Sequence, residues 1–153
     1  MKSFELKNMS ILSPIILIAI LMTLSVGCDA YLSEAAIIKM QKMVKSVCIK
    51  KHPVPDEIFD NFKKGEIVDN KSFKCFVACT LKTAQFVSPR GTIEKKILKE
   101  KLTMLLPPAV LDIYFPVFEE CADKDFGELC ENAFEYIKCA QRVNPKTLNY
   151  FPV

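Results

Sequence analysis

The chain reads as all-α: a compact bundle of about six helices cross-linked by three disulfides. Three observations point there. Apolar residues recur at helical spacing in every segment between prolines or glycines, while strand-like alternation is scarce. Half of the 153 residues are apolar, with only 4 glycines and no tryptophan, a composition that suits close-packed helices. Seven cysteines are more than a single domain of this size requires, because a chain of about 120 residues already buries roughly two-thirds of its unfolded surface.

The first thirty residues have the character of an export signal. Positions 8–28 carry no charge, Ile11 to Val26 is almost wholly apolar, and Lys2 and Lys7 precede it. Gly27, Cys28 and Ala30 supply small residues for cleavage after Ala30, so residues 1–30 are expected to be a secretory signal peptide and residues 31–153 the mature, extracellular domain. A signal anchor needs about 20 apolar residues, and Ser13, Pro14, Thr23 and Ser25 thin this run. Ser25 also stands where a lipoprotein box takes an aliphatic residue, which argues against Cys28 as a lipid carrier. Once Cys28 leaves, Cys48, Cys75, Cys79, Cys121, Cys130 and Cys139 remain. An even number in an oxidising compartment implies three disulfides. Zinc competes for paired cysteines, but His52 is the lone imidazole, so neither a metal nor a cofactor is expected.

The helices follow in order. Ser33 caps the first, which stripes Ile37, Met40, Val44, Val47 and Cys48 along one side and Lys39, Lys42, Lys45 and Lys50 along the other, and Pro53 ends it. The second has Pro55, Asp56 and Glu57 in its first turn, Lys63 and Lys64 in its last, and Gly65 beyond. A third is expected from about Asp69 to Gln85. The fourth begins near Thr92 and stripes Ile97, Leu98, Leu102 and Leu105 before Pro107. The fifth spans Ala109 to Asp123, and Pro116 inside it predicts a kink or a fresh start, since an interior proline costs about 3 kcal/mol. The sixth runs from about Glu128 to Arg142. A tail, residues 144–153, follows Pro145, and its Leu148, Tyr150, Phe151 and Val153 are too apolar to hang free.

Charge and composition exclude several functions. The 21 basic residues exceed the 18 acidic by only 3, with no basic stripe, so nucleic acid is not an expected partner. Stable membrane insertion is not expected of the mature domain. A secreted helical lipase would need a histidine beside a carboxylate and a glycine-rich calcium loop. One histidine next to Pro53 and so few glycines supply neither, and no catalytic residues are assigned.

The cysteine spacing is the most specific signal. Cys75 and Cys79, four apart, share one helix face, whereas Cys130 and Cys139, nine apart at 100° per residue, stand on opposite faces. One helix is thereby expected to be tied to two partners. Spacing alone leaves fifteen pairings open. Between successive cysteines lie 26, 3, 41, 8 and 8 residues. This set, on a leader-bearing chain of about six helices, resembles the insect odorant-binding protein family in its six-cysteine subclass. The resemblance covers the whole mature chain. It implies bridges from Cys48 to Cys79, Cys75 to Cys130 and Cys121 to Cys139, and helices converging on an apolar cavity.

It also implies a function: carriage of a small hydrophobic ligand, such as an odorant or pheromone, through aqueous fluid, with a membrane odorant receptor as a partner and a homodimer left open. By position, the resemblance places Phe73, Val77 and Thr80, then Phe134 and Ile137, and also Phe118, on the cavity wall. The helical stripes add Met40, Val44 and Phe62. Thr80 or Tyr114 is a candidate to bond a polar head group. Tyr150 and Phe151 are candidates for a tail folded over the cavity mouth, against a tail merely packed on the surface. His52, alone at the end of the first helix, gives little basis for acid-driven release. Asn70, Lys71 and Ser72 form a glycosylation acceptor, which also reads as a helix cap. The competing function is a secreted helical signalling protein that acts through its surface.

Overall fold

The computed structural model describes residues 31–153; the expected leader, residues 1–30, lies outside the described residues, and Cys28 with it. Six α-helices follow one another: α1 Glu34–Lys51, α2 Asp56–Lys63, α3 Lys71–Thr83, α4 Lys95–Leu105, α5 Pro108–Cys121 and α6 Leu129–Val143. A 3-10 turn, Pro145–Tyr150, completes the domain, and no strand occurs among the described residues.

Local chemistry sets most of the ends. The Ser33 hydroxyl accepts from the Ala36 N–H at 3.3 Å and opens α1, and Pro53 lies just past its end. Gly65 follows α2 at φ +85°, a conformation that costs glycine little. Asn70 caps α3: its side-chain oxygen accepts from the Phe73 N–H at 3.0 Å, so α3 begins at Lys71 rather than at Asp69.

The expected start of α4 is corrected by interactions remote in sequence. α4 begins at Lys95, not near Thr92, because Thr92 is held in the preceding turn, its hydroxyl 2.8 Å from that of Ser88. The cap of α4 comes from elsewhere in the chain: Asp123 accepts the Lys95 N–H at 2.9 Å and donates its own N–H to Ile93 at 2.9 Å. α5 starts at Pro108 and continues through Pro116 without a fresh start. Pro116 and Asp112, whose carbonyl loses its helical partner to the proline, are both exposed.

The disulfides join Cys48 to Cys79, Cys75 to Cys130 and Cys121 to Cys139. α3 is thereby tied to α1 and α6, and α6 to α3 and α5. α3 and α6 also share the largest helix interface. Beside Cys75, the Lys74 ammonium lies 2.9 Å from Asp69 and 3.0 Å from Glu131, and sits 4.7 Å above the Phe134 ring. Phe73, Phe76, Val77, Val117, Phe118 and Phe134 are sealed in the core. Phe59, Phe62, Phe73 and Phe76 form an aromatic cluster where α2 meets α3, with ring centres 5.1 to 6.4 Å apart.

Cross-links of 55, 31 and 18 residues restrict the unfolded chain unequally. Loop-closure entropy assigns about 4 kcal/mol to the longest and about 3 kcal/mol to the shortest. Urea unfolding of the paired Cys→Ala variants is therefore expected to rank the losses Cys75/Cys130, then Cys48/Cys79, then Cys121/Cys139. The reverse ranking would contradict the entropic account.

Candidate functional site

An apolar cavity of about 110 Å³ lies between α1, α3, α4, α5, α6 and the C-terminal tail. α1 contributes Met40 and Val44, α3 Thr80 and Leu81, and α4 Leu98 and Leu102. Tyr114 of α5 and Tyr136, Ile137 and Ala140 of α6 continue the wall. Leu148, Tyr150, Phe151 and Pro152 of the tail close one side. An apolar space of about 150 Å³ holds a benzene-sized guest and stays dry without one. This hollow is somewhat smaller, and Met40, unbranched and polarizable, is the wall residue best suited to repack around a larger shape.

No lysine, arginine, histidine, aspartate or glutamate lines the cavity. Its polarity comes from the Gln41 amide and from hydroxyls, and most of the hydroxyls are already committed. Thr80 donates to the Val77 carbonyl at 2.7 Å, Thr147 to the Asn144 carbonyl at 2.8 Å, and Tyr114 to the Thr147 carbonyl at 3.2 Å. The two hydroxyls singled out as candidates to bond a head group thus spend their protons on the backbone and are left with lone pairs alone to offer a guest. Burial raises the Tyr114 phenol well above its ordinary range, as does the proximity of Tyr136 and Tyr150, so it stays neutral and able to donate at any physiological pH.

The tail is held by more than contact. Tyr114 grips the Thr147 carbonyl, Asn144 donates to the Ile113 carbonyl at 3.0 Å, and the Phe151 and Tyr150 rings lie 5.4 Å from Phe62 and 6.1 Å from Tyr114. It packs on α5 and α6.

Of the residues singled out in the sequence, Met40, Val44, Thr80, Ile137, Tyr150 and Phe151 come together on this wall. Phe62, Phe73, Val77, Phe118 and Phe134 do not line it; they are buried one layer behind. Phe62 backs Phe151, and Phe118 backs Tyr114 with ring centres 5.9 Å apart. The reason is geometric, since one helical stripe serves both core and cavity wall and its spacing does not tell them apart. Leu98, Leu102, Tyr136 and Ala140 were missed as wall residues, although Leu98 and Leu102 lie on the stripe read for α4, and Tyr136 and Ala140 lie one residue before and three after Ile137 on α6. His52 lines a different cleft, with Lys51, Lys82 and the cysteines of α3.

Comparison with known proteins bears on these features. The model of the PBP/GOBP family matches residues 31–143. General odorant-binding protein 72 of Anopheles gambiae is 29% identical over 110 residues, covering 71% of this chain and 90% of that protein. Odorant-binding protein 4 of the predator Chrysopa pallens superposes with a TM-score of 0.70 at 28% identity, covering 79% of this chain and 99% of that one. Odorant-binding protein 7 of Anopheles gambiae, solved with four disulfide bridges in complex with an azo compound, shares the fold at a TM-score of 0.66 and 21% identity, over 74% of this chain and 89% of its own. These relatives are odorant-binding proteins rather than enzymes. With the family model spanning the helical domain from Tyr31 to the end of α6, the chain belongs to the PBP/GOBP family of insect odorant-binding proteins.

Proposed function

We propose that this protein is a secreted carrier that takes small hydrophobic molecules, odorants, pheromones or similar apolar cargo, into its cavity and moves them through aqueous fluid. The observation that carries the reading is the uncharged, apolar wall assembled from five helices and the tail. The family and the azo compound held by the mosquito protein of the same fold support it. Three disulfides suit an oxidising, extracellular setting. No described helix is long and apolar enough to cross a membrane. Delivery to a membrane odorant receptor, and pairing of two copies, belong to the same reading.

Magnitudes define the cargo. A guest burying about 200 Å² gains about 5 kcal/mol, which corresponds to a dissociation constant of a few tenths of a millimolar before the entropy of capture. One burying about 300 Å² gains about 7.5 kcal/mol and approaches the micromolar range. A micromolar carrier therefore needs a cargo larger than the resting hollow, with Met40 and the tail yielding around it. In displacement of a fluorescent apolar probe, affinity is expected to rise about threefold to fourfold per added methylene until the space is full. A second reading, recognition through the surface, draws on Ile38, Met43 and Val47, which stand exposed on α1. Failure of any apolar probe to bind would favour that reading over a carrier.

In the carrier reading the tail acts as a lid. Loss of about 60 Å² of contact is worth about 1.5 kcal/mol, so deleting Leu148–Val153 is expected to weaken binding about tenfold and to hasten release. Stopped-flow measurement of both quantities checks this, and unchanged values would reduce the tail to surface packing.

Acid is not the release signal in this reading, because no acid-titrating group lines the cavity. Affinity at pH 7 and at pH 6 is expected to agree within about twofold, with His52→Ala behaving alike. Alkali acts differently. The Tyr114 and Tyr136 phenols are raised by burial, and Lys74 is raised by its bonds to Asp69 and Glu131. Groups raised on folding stabilise the fold below their ordinary values near 10 and lose that effect as pH climbs past them. Thermal unfolding is accordingly expected to show a flat melting temperature from pH 6 to 9 and a fall above about pH 10.

A further inference from the structure

Tyr136 stands apart from every other hydroxyl on the cavity wall. It projects from the middle of α6, one residue before Ile137, and only 8% of its surface is exposed. Thr80, Thr147 and Tyr114 each donate to a backbone carbonyl, whereas the Tyr136 hydroxyl has no hydrogen-bond partner among the described residues. Its oxygen is nevertheless not sealed in apolar packing, for no fully enclosed side-chain oxygen or nitrogen among the described residues lacks a partner. It borders open space, and Tyr136 is one of the residues that line the cavity. A hydroxyl whose proton is not already given to the protein is free to donate it to an arriving acceptor. Two other wall residues carry uncommitted donors, Gln41 and Tyr150, but both are half-buried, whereas Tyr136 is buried.

We propose that Tyr136 is the polar anchor of the cavity, donating its hydroxyl proton to a single acceptor oxygen on an otherwise apolar cargo. This rests on the carrier reading above and narrows it to a chemical class. Ketones, aldehydes, esters and alcohols present such an oxygen, and pure hydrocarbons do not. Carboxylates are selected against: an anion would enter a wall without lysine, arginine or histidine and pay its desolvation with one neutral hydrogen bond in return. Thr80 and Tyr114, acceptors only toward the cavity, favour an alcohol over a carboxylate for the same reason. Burial keeps the Tyr136 phenol neutral, so the anchor does not switch off within the physiological range.

The experiment pairs one shape with two chemistries: 2-octanone and its methylene isostere 2-methyl-1-octene, each displacing a fluorescent apolar probe from the wild-type protein and from Tyr136→Phe. A net hydrogen bond of ordinary strength predicts that the substitution weakens the ketone roughly threefold to tenfold and leaves the alkene within about twofold. Equal losses for both, or no loss for either, would overturn the anchor while leaving the carrier intact. If neither compound displaces the probe from the wild type, the carrier reading itself fails and the anchor with it. The infrared carbonyl stretch of bound 2-octanone supplies a readout that a merely structural tyrosine would not move: it shifts to lower frequency in the wild type and returns toward its apolar-solvent value in Tyr136→Phe. An identical stretch in both proteins would also overturn the proposal. A normal melting curve for Tyr136→Phe guards against misfolding; should that variant melt early, the carbonyl stretch in the wild type compared with apolar solvent still decides the matter, an unshifted band refuting the anchor.

Discussion

The pairing of α3 with α6, clamped by Cys75–Cys130, is the constraint from which the rest of the structure extends. Both helices are amphipathic enough to bury one side, and at their seam Lys74 adds a cation held by two carboxylates above the Phe134 ring. Cys79 then carries α1 from one side of α3, and Cys139 carries α5 from the opposite side of α6. Four helices are thus joined in a single covalent series. Such a frame tolerates a hollow, because the interactions lost at an empty cavity are offset by bonds that restrict the unfolded chain.

The hollow sits where this frame leaves helices apart. Its floor of Val44, Thr80, Leu81 and Ile137 belongs to the cross-linked helices, and its side of Leu148, Tyr150 and Phe151 belongs to a tail without any cross-link. Rigid wall and separable wall therefore meet in one cavity. That division suits a carrier, which must hold its cargo in a preformed shape and yet let it in and out. The hydrogen bonds from Tyr114 to the Thr147 carbonyl and from Asn144 to the Ile113 carbonyl link the two parts.

Features governed by local chemistry were legible in the amino-acid order. Ser33, Pro53 and Gly65 act within a turn of their own position and mark the ends of α1 and α2 as read. The cysteine intervals carried the family resemblance, and through it the pairing. What escaped reading depends on residues distant in sequence: Asp123 caps α4 from across the fold, a contact no local pattern announces. The cavity wall was half legible for a similar reason. Phe73 and Thr80 lie seven residues and nearly two turns apart on one stripe of α3, roughly 10 Å along its axis, so one end meets the aromatic cluster of α2 while the other meets the hollow. Tyr136 was overlooked because its distinction is the absence of a partner, which only the assembled structure reveals.

The central claim is that the space among Met40, Thr80, Tyr136 and Phe151 admits an apolar guest. A crystal structure of the mature domain soaked with a bromine-bearing alkyl ketone tests it most directly, since the anomalous signal of bromine locates the molecule without reference to any assumed pose. The account predicts a bromine peak inside that wall with the ketone oxygen within hydrogen-bonding distance of the Tyr136 hydroxyl. A peak confined to the outer surface, or an interior closed by Met40 and the tail with no guest at saturating concentration, would contradict it.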